Sequence, residues 1–487
     1  AALQAALACT GTTALHHFPY AWGKVHFWFV PRAYAAQCQA HFAAPIQWQD
    51  APVRPAEPPV LKTWQAAPEP LPVGGTPHVL VIGAGIAGAA TAYECALRGA
   101  SVSVIERQKQ PAQEASGNRQ GLLYAKISPH NTPQTELLLS GYGYTRHLLA
   151  RLLPEQAHWQ PCGVLHLNHN ESERQRNRLL AQQTQHAHLY RAVCAEEAAQ
   201  LAGIPIGQDG LFWPMGAWLN PAALVERLLG HPNIRLFTEH SAEEAAYDSE
   251  SRQWRVRTPH GTLSGSHIVF CTGAGSLHAP ITQQFPLQII RGQTSIAPAT
   301  EDSRALKTAL SAASYISPAW QGRHCFGATF APNNPDTAWQ AEDERHNRQA
   351  LSQLNEPLYR SLSAAWGDES SLHPAERGHA ALRCDAHDHL PAVGALGDAA
   401  AMKQVYAKFA HDKNYPIQTP CPYLPNAYLN TAHGSRGLAT APLCAADIAA
   451  QICRTPHLLS ARLQQALNPN RLIIKKIIHG KIGAKVR

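Results

Sequence analysis

One short run of hydrophobic residues near position 80 begins the most regular pattern in the chain. Residues 79–82 are all apolar, as in a strand buried on both faces of a parallel sheet. Small and apolar residues then predict a helix over residues 87–97, with Gly99 in a position suited to ending it. A second apolar stretch, Ser101–Ile105, predicts another strand. The pattern predicts a β-α-β unit.

The predicted turn between this strand and helix carries the sequence Gly83-Ala84-Gly85-Ile86-Ala87-Gly88. Glycines at these spacings permit a tight turn, close approach to a pyrophosphate and close packing of helix on strand. Glu106 ends the second strand, where an acid can bind a free ribose 2′-hydroxyl and so favours FAD or NAD over NADP. We therefore predict dinucleotide binding by Gly83, Gly85, Ile86, Ala87, Gly88, Glu106 and Arg107.

Patterns further along predict both helices and strands. Helices are expected at residues 133–153, 171–187, 222–229 and 341–366. Buried or alternating strands are expected at residues 162–167, 234–237, 254–258 and 268–271, with an antiparallel sheet between residues 287 and 330. Near the end, the chain returns to glycine-rich segments at residues 381–394 and 428–446.

Length and composition limit the organisation. The 487 residues exceed one typical domain, and the net charge of +7 allows a polyanionic partner without requiring one. The 11 cysteines include no CxxC pair, and no apolar run approaches the length of a membrane span, so we expect a cytosolic protein with reduced thiols. We expect an appendage at residues 1–50, a proline-rich linker at 51–77 and the catalytic unit at 78–487.

Several further segments are candidates for the cofactor site, each with a plainer alternative. The polar loop at residues 115–121, the turn at Thr272 and Gly273, and the turn at residues 291–293 could face a cofactor or be ordinary loops. His387 and His389 stand near two aspartates, but no convincing further ligand set accompanies them, and we expect no metal.

Distinct strings in these segments resemble a known family. They are Ser-Gly-Asn-Arg-Gln-Gly at 116–121, Arg-Cys at 383–384, Asp-His-Leu-Pro at 388–391, Gly-Ser-Arg-Gly-Leu at 434–438, Pro-Leu-Cys-Ala at 442–445 and Leu-Asn-Pro-Asn-Arg-Leu at 467–472. The pattern resembles the FAD-dependent amine oxidases related to glycine oxidase, sarcosine oxidase and D-amino acid oxidase. More closely, over residues 78–481, it resembles the C-terminal oxidoreductase half of the MnmC family of tRNA-modifying enzymes.

The resemblance implies a fold and a reaction. The expected fold is α/β, with a two-dinucleotide-binding-fold (Rossmann-like) FAD domain at about 78–130, 200–285 and 380–455. An antiparallel β-sheet substrate domain would comprise 131–199 and 286–379, followed by a basic tail at 467–487. The implied reaction removes the carboxymethyl group from 5-carboxymethylaminomethyl-2-thiouridine at the tRNA wobble position, with non-covalent FAD and release of glyoxylate.

The resemblance also implies roles for individual residues, with Arg383, Arg436 and Tyr315 as the catalytic residues. Arg383 would pair with the substrate carboxylate, Arg436 would lie in a loop against the flavin, and Tyr315 would orient the carboxylate. The expected cofactor contacts beyond the first β-α-β unit are Ser116, Gly117, Asn118, Arg119, Gln120, Gly121, Thr272, Gly273, Arg291, Gly292, Gln293, Gly434, Ser435, Gly437 and Leu438. A basic rim for the anticodon loop could include Arg471, Lys475, Lys476 and Lys481.

Two other functions stay open at this point. The chain could be a small-molecule amine oxidase of the glycine or sarcosine type, or a non-catalytic flavin-containing subunit that binds tRNA. Only about 77 residues precede the predicted flavin domain, and they show no second glycine-rich loop of the kind that binds S-adenosylmethionine. We therefore expect the methyltransferase half to be absent and the following step to need a separate methyltransferase.

Overall fold

A computed structural model describes residues 16–19, 26–29, 62–69, 71, 75–183, 186–279, 281–368, 371–373 and 376–480. Its helices, in chain order, are α1 (Ile86–Leu97), α2 (Pro133–Leu152), α3 (Glu171–Ala181), α4 (Ala195–Ala202), α5 (Pro221–Leu229), α6 (Ala341–Leu354), α7 (Glu356–Ser363), α8 (Ala399–Val405), α9 (Gly437–Cys453), α10 (Ala461–Leu467) and α11 (Asn470–His479). None of these described helices is both long and apolar enough to cross a lipid bilayer.

The strands form several sheets. In chain order they are β1 (His16–Pro19), β2 (His26–Phe29), β3 (His78–Ile82), β4 (Ser101–Ile105), β5 (Gly121–Leu123), β6 (Trp159–Gln160), β7 (Val164–Leu167), β8 (Arg191–Val193), β9 (Gly210–Trp213), β10 (Ala217–Leu219), β11 (Ile234–Phe237), β12 (Glu244–Asp248), β13 (Gln253–Thr258), β14 (Gly261–Gly265), β15 (His267–Phe270), β16 (Leu287–Pro298), β17 (Ala309–Ser311), β18 (Tyr315–Ile316), β19 (Arg323–Gly327), β20 (Ala331–Pro332), β21 (Ala380–Ala386), β22 (Ala392–Gly397) and β23 (Tyr423–Thr431).

A six-stranded sheet has the strand order β11-β4-β3-β15-β23-β22. Neighbouring strands are parallel except β22 and β23. Helices α1 and α9 contribute to the core on one face, where Val79 and Ile448 are fully buried. The three-stranded sheet β12-β13-β14 contributes Trp254 and Val256 to the core on the other face. Burial on both faces explains why β3 and β15 are unbroken apolar runs.

A nine-stranded sheet forms the second layer. Its order is β20-β16-β19-β18-β17-β7-β9-β8. Strand β21 also pairs with β16, along residues 287–293, whereas β19 pairs with residues 294–298. All described pairs are antiparallel except β17 with β7. Helices α4, α6 and α7 pack on it around Phe326 and Leu351, both fully buried. A small sheet, β5-β10-β6, completes this half.

The predicted α/β fold is confirmed, and several predicted elements have the expected bounds. The strand Ser101–Ile105 is as predicted, and α1 begins one residue earlier than expected. The predicted helix at 171–187 is shorter and ends at Ala181. Strand β9 lies within the predicted FAD-binding part at 200–285, yet it pairs with β7 and β8 of the nine-stranded sheet. The predicted domain division stays a prediction, although β9 pairs with strands that lie in the predicted substrate domain.

The segments before residue 78 are described only in part. Strands β1 and β2 of the predicted appendage pair antiparallel, and the rest of residues 1–50 lies outside the described residues. Within the predicted extended linker, residues 62–69 instead pack on the catalytic unit. Trp64 is buried in the core beside the six-stranded sheet, and the hydroxyl of Thr63 donates to the carbonyl of Ile417 at 2.8 Å. Proline content alone did not reveal this apolar anchor.

Candidate active site

A large cavity lies at the carboxyl ends of β3, β4 and β15, between the two main sheets. Its volume is about 1010 Å³, at the upper end of the range for ligand pockets. One wall comes from the six-stranded sheet through Gly83, Glu106 and Thr272, and the opposite wall comes from the nine-stranded sheet through Tyr315 and Arg383. The position matches the rule that open α/β sheets bind ligands beyond the carboxyl ends of their strands.

The glycine loop has the geometry that its sequence predicts. Gly83 has a φ of +100°, which favours glycine, and a Cβ on Gly88 would lie 1.8 Å from the carbonyl oxygen of Gly83. The start of α1 therefore packs directly on the turn. Gly85, Ile86 and Ala87 line the cavity, while Gly88 makes the helix contact instead.

Glu106 holds this loop from the end of β4. Its Oε2 accepts a hydrogen bond from the amide of Ala84 at 2.7 Å, and its Oε1 accepts one from the amide of Gln108 at 2.9 Å. The side chain also lines the cavity, where its remaining lone pairs can accept hydrogen bonds from a ligand. Arg107 lines the cavity next to it and donates to Glu114 at 2.6 Å.

The polar loop at residues 115–121 contributes only some of its side chains. Ser116, Asn118 and Gly121 line the cavity, and the Ser116 hydroxyl accepts a hydrogen bond from the amide of Ile86 at 3.0 Å. Gly117 packs closely on His379, since a Cβ there would lie 2.8 Å from the imidazole ring.

The predictions for Arg119 and Gln120 are corrected by their side-chain contacts. Arg119 donates to the carbonyl of Trp320 at 2.7 Å, and its guanidinium lies over that indole ring. Gln120 is fully buried and donates to the carbonyl of Pro318 at 3.0 Å. Neither residue lines the cavity. Both tie the loop to the segment between β18 and β19, through the carbonyls of Trp320 and Pro318.

Arg383 presents a cation without an acidic partner. It lies on β21 and lines the cavity, and its Nη1 donates to the hydroxyl of Ser435 at 3.3 Å. Among the described residues no carboxylate lies within ion-pair distance of it. Burial lowers the pKa of its guanidinium, and the nearby Tyr315 partly opposes this shift. A desolvated, unpaired guanidinium favours an anionic ligand.

Tyr315 also lines the cavity, but its hydroxyl is already engaged. It donates to the carbonyl of Gln120 at 3.1 Å and accepts from Nδ2 of Asn118 at 3.1 Å. Burial, with a smaller effect from Cys325, raises the pKa of the phenol well above its usual range. The ring therefore connects β18 to the polar loop and stays neutral.

Side chains alternate along β16, which corrects two further predictions. Arg291 forms a buried ion pair with Asp343 at the start of α6, and Gln293 accepts from the amide of Gln340 at 2.8 Å. Both point away from the cavity, whereas Gly292 and Thr294 of the same strand line it. A Cβ on Gly292 would lie 2.2 Å from Nη2 of Arg383, so the glycine makes room for that guanidinium.

The glycine-rich segment before α9 forms another wall. Gly434, Ser435, Gly437 and Leu438 line the cavity, as do Thr272 and Gly273 at the end of β15. Arg436 is exposed and does not line it. The prediction that Arg436 is a catalytic residue is therefore corrected, although its charge still lowers the pKa of Lys126 as a minor influence beside burial.

His433 supports this segment from beneath. Its ring contacts the hydroxyl of Thr440 and the Oδ1 of Asn430, each at 2.9 Å. Burial lowers the pKa of His433 to about 3, so the ring is neutral.

A polar network on the substrate-domain side was not predicted. Tyr124 and Lys126 line the cavity, and behind them Glu173 contacts Lys126 at 3.2 Å and His166 at 2.7 Å. Burial lowers the pKa of His166 to about 4. Burial would raise the pKa of Glu173, but the hydrogen bond with His166 and the charge of Lys126 lower it to about 2. These residues stand far apart in sequence without a motif, so only the three-dimensional fold reveals them.

Two of the four residues predicted for a basic rim are engaged in structural contacts. Arg471 is 5% exposed and forms a two-pronged ion pair with Asp388, each bond 2.9 Å long. Lys475 donates to the same carboxylate at 2.6 Å. Lys476 is exposed, and Lys481 lies outside the described residues. The prediction that Arg471 offers a free charge to RNA is wrong, because helix α11 uses it to dock.

The segment with the two histidines shows no metal-ligand cluster among the described residues. Asp388 serves Arg471 and Lys475, and Asp385 contacts the Nδ1 of His389 at 2.8 Å. The two acidic side chains are thus engaged with basic residues.

Comparison with known proteins identifies the family. The model of the family described as FAD-dependent oxidoreductase (DAO) matches residues 78–451. The chain belongs to this family. Solved structures support the fold: glycine oxidase from Geobacillus kaustophilus has a TM-score of 0.63 at 18% identity, covering 81% of this chain and 99% of that one. L-proline dehydrogenase from P. horikoshii has a TM-score of 0.63 at 15% identity, covering 84% and 99%.

Closer relatives share sequence as well. The protein named "tRNA 5-methylaminomethyl-2-thiouridine biosynthesis bifunctional protein MnmC" from Chromobacterium violaceum is 40% identical over 420 residues, covering 86% of this chain and 62% of that protein. The protein of the same name from Pseudomonas entomophila is 40% identical over 419 residues, again covering 86% and 62%. The chain thus spans less than two thirds of the length of these curated relatives.

FAD is the cofactor of this FAD-dependent oxidoreductase, and the cavity fits it. The glycines leave backbone exposed at the start of α1, where the helix dipole favours a pyrophosphate. Glu106 provides a carboxylate at the position that suits a ribose hydroxyl. The opposite wall offers the unpaired Arg383 to a second, anionic ligand. The cavity therefore combines a dinucleotide cradle with a separate anion-binding wall.

Proposed function

We propose that this enzyme oxidatively removes the carboxymethyl group from 5-carboxymethylaminomethyl-2-thiouridine at the wobble position of tRNA. The C–N bond to the carboxymethyl group would be oxidised by two electrons and the resulting imine hydrolysed by water, which gives 5-aminomethyl-2-thiouridine and glyoxylate. The two electrons would reduce FAD to FADH2, and dioxygen or another acceptor would restore FAD. Two observations support the proposal. The MnmC relatives are named for the biosynthesis of 5-methylaminomethyl-2-thiouridine in tRNA, and Arg383 lines the cavity without an acidic partner among the described residues. FAD, when bound, accepts the two electrons of the oxidation.

Arg383 is proposed to bind the substrate carboxylate. A planar guanidinium can donate two parallel hydrogen bonds to a carboxylate, and such a pair fixes both distance and orientation. Burial of an unpaired carboxylate would be costly, so a substrate of the form R–CH2–NH–CH2–COO⁻ needs such a partner. The nearby charges of Arg383 and Lys126 also favour the neutral form of the amine, the form that can be oxidised.

The remaining predicted residues are proposed to position cofactor and substrate. Glu106 and the glycine loop would hold the adenosine and pyrophosphate, and Ser435 would orient Arg383 through its hydrogen bond. Tyr315 would fix Asn118 and the polar loop, since its own proton is donated to Gln120.

tRNA is the proposed partner, because the free nucleoside alone would not explain the relatives' role in tRNA modification. We further propose that methylation of the product takes place outside residues 78–451, in another domain or a separate methyltransferase.

The test is anaerobic mixing of the holoenzyme with tRNA carrying the carboxymethylaminomethyl group, followed by the visible absorbance of the flavin. We expect this tRNA to bleach the flavin, and glycine or sarcosine not to. Bleaching by the small amines alone would assign the protein to the metabolic amine oxidases. If neither substrate reduces the flavin, the non-catalytic tRNA-binding function is favoured.

Arg383→Ala tests the carboxylate assignment. Loss of one partner from a buried charged pair should slow flavin reduction by tRNA by roughly 30-fold or more. FAD binding should persist, because the cofactor cradle lies on the opposite wall. Arg255→Ala is the matched control, since Arg255 pairs with Asp248 on the exposed side of the small sheet. Unchanged turnover in Arg383→Ala would contradict the assignment.

A further inference from the structure

Phe330 stands out at the mouth of the cavity. It lines the cavity, and its 59% exposure is the largest among the large hydrophobic side chains of the described residues. A single exposed aromatic on a protein surface needs no explanation. Phe330 differs from such a residue because it lies beside a ligand cavity, where its ring can contact a bound ligand.

The backbone on both sides of Phe330 is fixed even though the ring is free. Before it, the amide of Thr329 donates to the carbonyl of Gln293 at 3.1 Å. After it, Ala331 and Pro332 pair with β16. The ring is therefore presented by a supported strand segment, which reduces the cost of ordering it when a ligand binds.

The backbone just before Phe330 and the guanidinium of Arg383 both lie next to Gly292. The point where a Gly292 Cβ would lie is 2.2 Å from Nη2 of Arg383 and 3.0 Å from the carbonyl oxygen of Thr329. The residue that precedes Phe330 therefore lies close to the Arg383 guanidinium. The cavity has a cation on its wall and an aromatic face at its opening, a short distance apart.

We propose that Phe330 is the platform on which the wobble uracil stacks while its side arm enters the cavity. The proposal rests on the function proposed above. The arm of the substrate places a carboxylate only a few bonds from the uracil ring, so the carboxylate can reach Arg383 while the base stays at the rim. Proteins commonly hold unstacked RNA bases on aromatic side chains in this way.

This arrangement gives Phe330 a role in specificity. A small N-substituted glycine can use Arg383 but has no base to place on the ring. Phe330 should therefore favour the tRNA substrate over free amines while leaving the reacting atoms untouched.

The experiment compares wild-type holoenzyme with Phe330→Ala, Phe330→Leu and Phe330→Trp. Each is mixed anaerobically with an anticodon stem-loop RNA carrying 5-carboxymethylaminomethyl-2-thiouridine, and the rate of flavin bleaching is measured against RNA concentration. Stacking on one base predicts that the Ala and Leu variants need at least about fivefold more RNA for the half-maximal rate. Phe330→Trp should retain the wild-type concentration, and the maximal rate should change little.

Controls separate this result from a folding defect or a failed function. Tyr415→Ala removes another exposed aromatic, one that does not line the cavity, and should behave as wild type. If wild type is not reduced by the RNA, the proposed function fails and the stacking role fails with it. If wild type is reduced and the Ala and Leu variants match it, stacking alone is overturned. Phe330→Leu keeps the apolar bulk, so it remains informative even if Phe330→Ala is unstable.

Discussion

At the scale of single residues, the absence of a side chain at Gly292 is as important as the cation beside it. The alternation along β16 sends Arg291 and Gln293 into contacts with the start of α6, whereas positions 292 and 294 face the cavity. Arg383 occupies the space that a Cβ would fill. The glycine therefore determines where the carboxylate partner lies.

Gly292→Ala should displace the Arg383 guanidinium, since the new methyl group would lie 2.2 Å from Nη2. We expect the substrate concentration for half-maximal flavin reduction to rise by about tenfold or more, because a misplaced positioning group is costly. The FAD content should stay unchanged. Steady-state kinetics and flavin absorbance would check both. Gly261→Ala serves as a comparison without neighbouring atoms within 4 Å, although its own positive φ adds some backbone strain.

Glu106→Ala should weaken FAD binding. The substitution removes the proposed ribose acceptor and leaves the amides of Ala84 and Gln108 without their carboxylate. Loss of hydrogen bonds to a charged group costs about 1.5–3 kcal/mol, so the dissociation constant of FAD should rise by roughly 10- to 150-fold. Titration of the apoprotein followed by flavin fluorescence measures the change. An unaltered FAD affinity would show that the cofactor does not use this acid.

At the scale of elements, helix α11 is attached by charge as well as by apolar contacts. Asp388, just after β21, receives Arg471 and Lys475 from the helix. Burial would raise the pKa of Asp388, but the hydrogen bonds and charge of Arg471 leave it well below its usual range. The basic residues that suggested an RNA-binding tail thus serve to fix a helix near the six-stranded sheet.

Asp388→Asn should destabilise the protein by roughly 3 kcal/mol, because it leaves the buried Arg471 without its counter-charge. Urea unfolding monitored by circular dichroism measures this loss, with Asp302→Asn as an exposed control. The folded-state pKa of Asp388 is depressed, so its contribution is complete above the unfolded value near 4. The contribution should disappear as the pH falls below that value. Equal stability of the two variants would mean that apolar packing alone holds α11.

Local sequence predicted the elements whose signals are continuous along the chain. The strand Ser101–Ile105, the start of α2 at Pro133 and the glycine turn follow from apolar runs, a helix-starting proline and residue spacing. The direction of a side chain was harder to predict. Arg119 and Arg291 stand in segments that reach the cavity, yet both turn away, because strand pairing and neighbouring helices decide which face each residue occupies.

At the scale of the whole molecule, the cavity exists only because two sheets meet. Gly83 and Glu106 come from the first sheet, whereas Tyr315 and Arg383 come from the second, more than 200 residues later in the chain. The contacts of Lys126 and His166 with Glu173 likewise join separate segments of the chain, so no local sequence pattern predicts them. Resemblance to a family drew attention to Arg383, which lines the cavity, whereas pattern and spacing alone would not have done so.

Three histidines with lowered pKa values should make the stability of the whole molecule depend on pH. Burial lowers the pKa of His166 and His267 to about 4 and that of His433 to about 3. Between pH 6.5 and about 4.5, the unfolded chain binds protons at these positions and the folded protein does not. The free energy of unfolding should therefore fall as the pH is lowered, by up to roughly 1.4 kcal/mol per pH unit for each histidine.

Urea unfolding at several pH values between 4.5 and 7.5 would measure this dependence. His267→Gln should remove about one histidine's share of the slope, because His267 is 4% exposed and Gln cannot take up a proton in this range. The exposed His479→Gln should leave the slope unchanged. If His267→Gln retains the full slope, the buried ring is protonated as readily in the folded protein as in the unfolded chain, and acid sensitivity must arise from carboxylates such as Asp388.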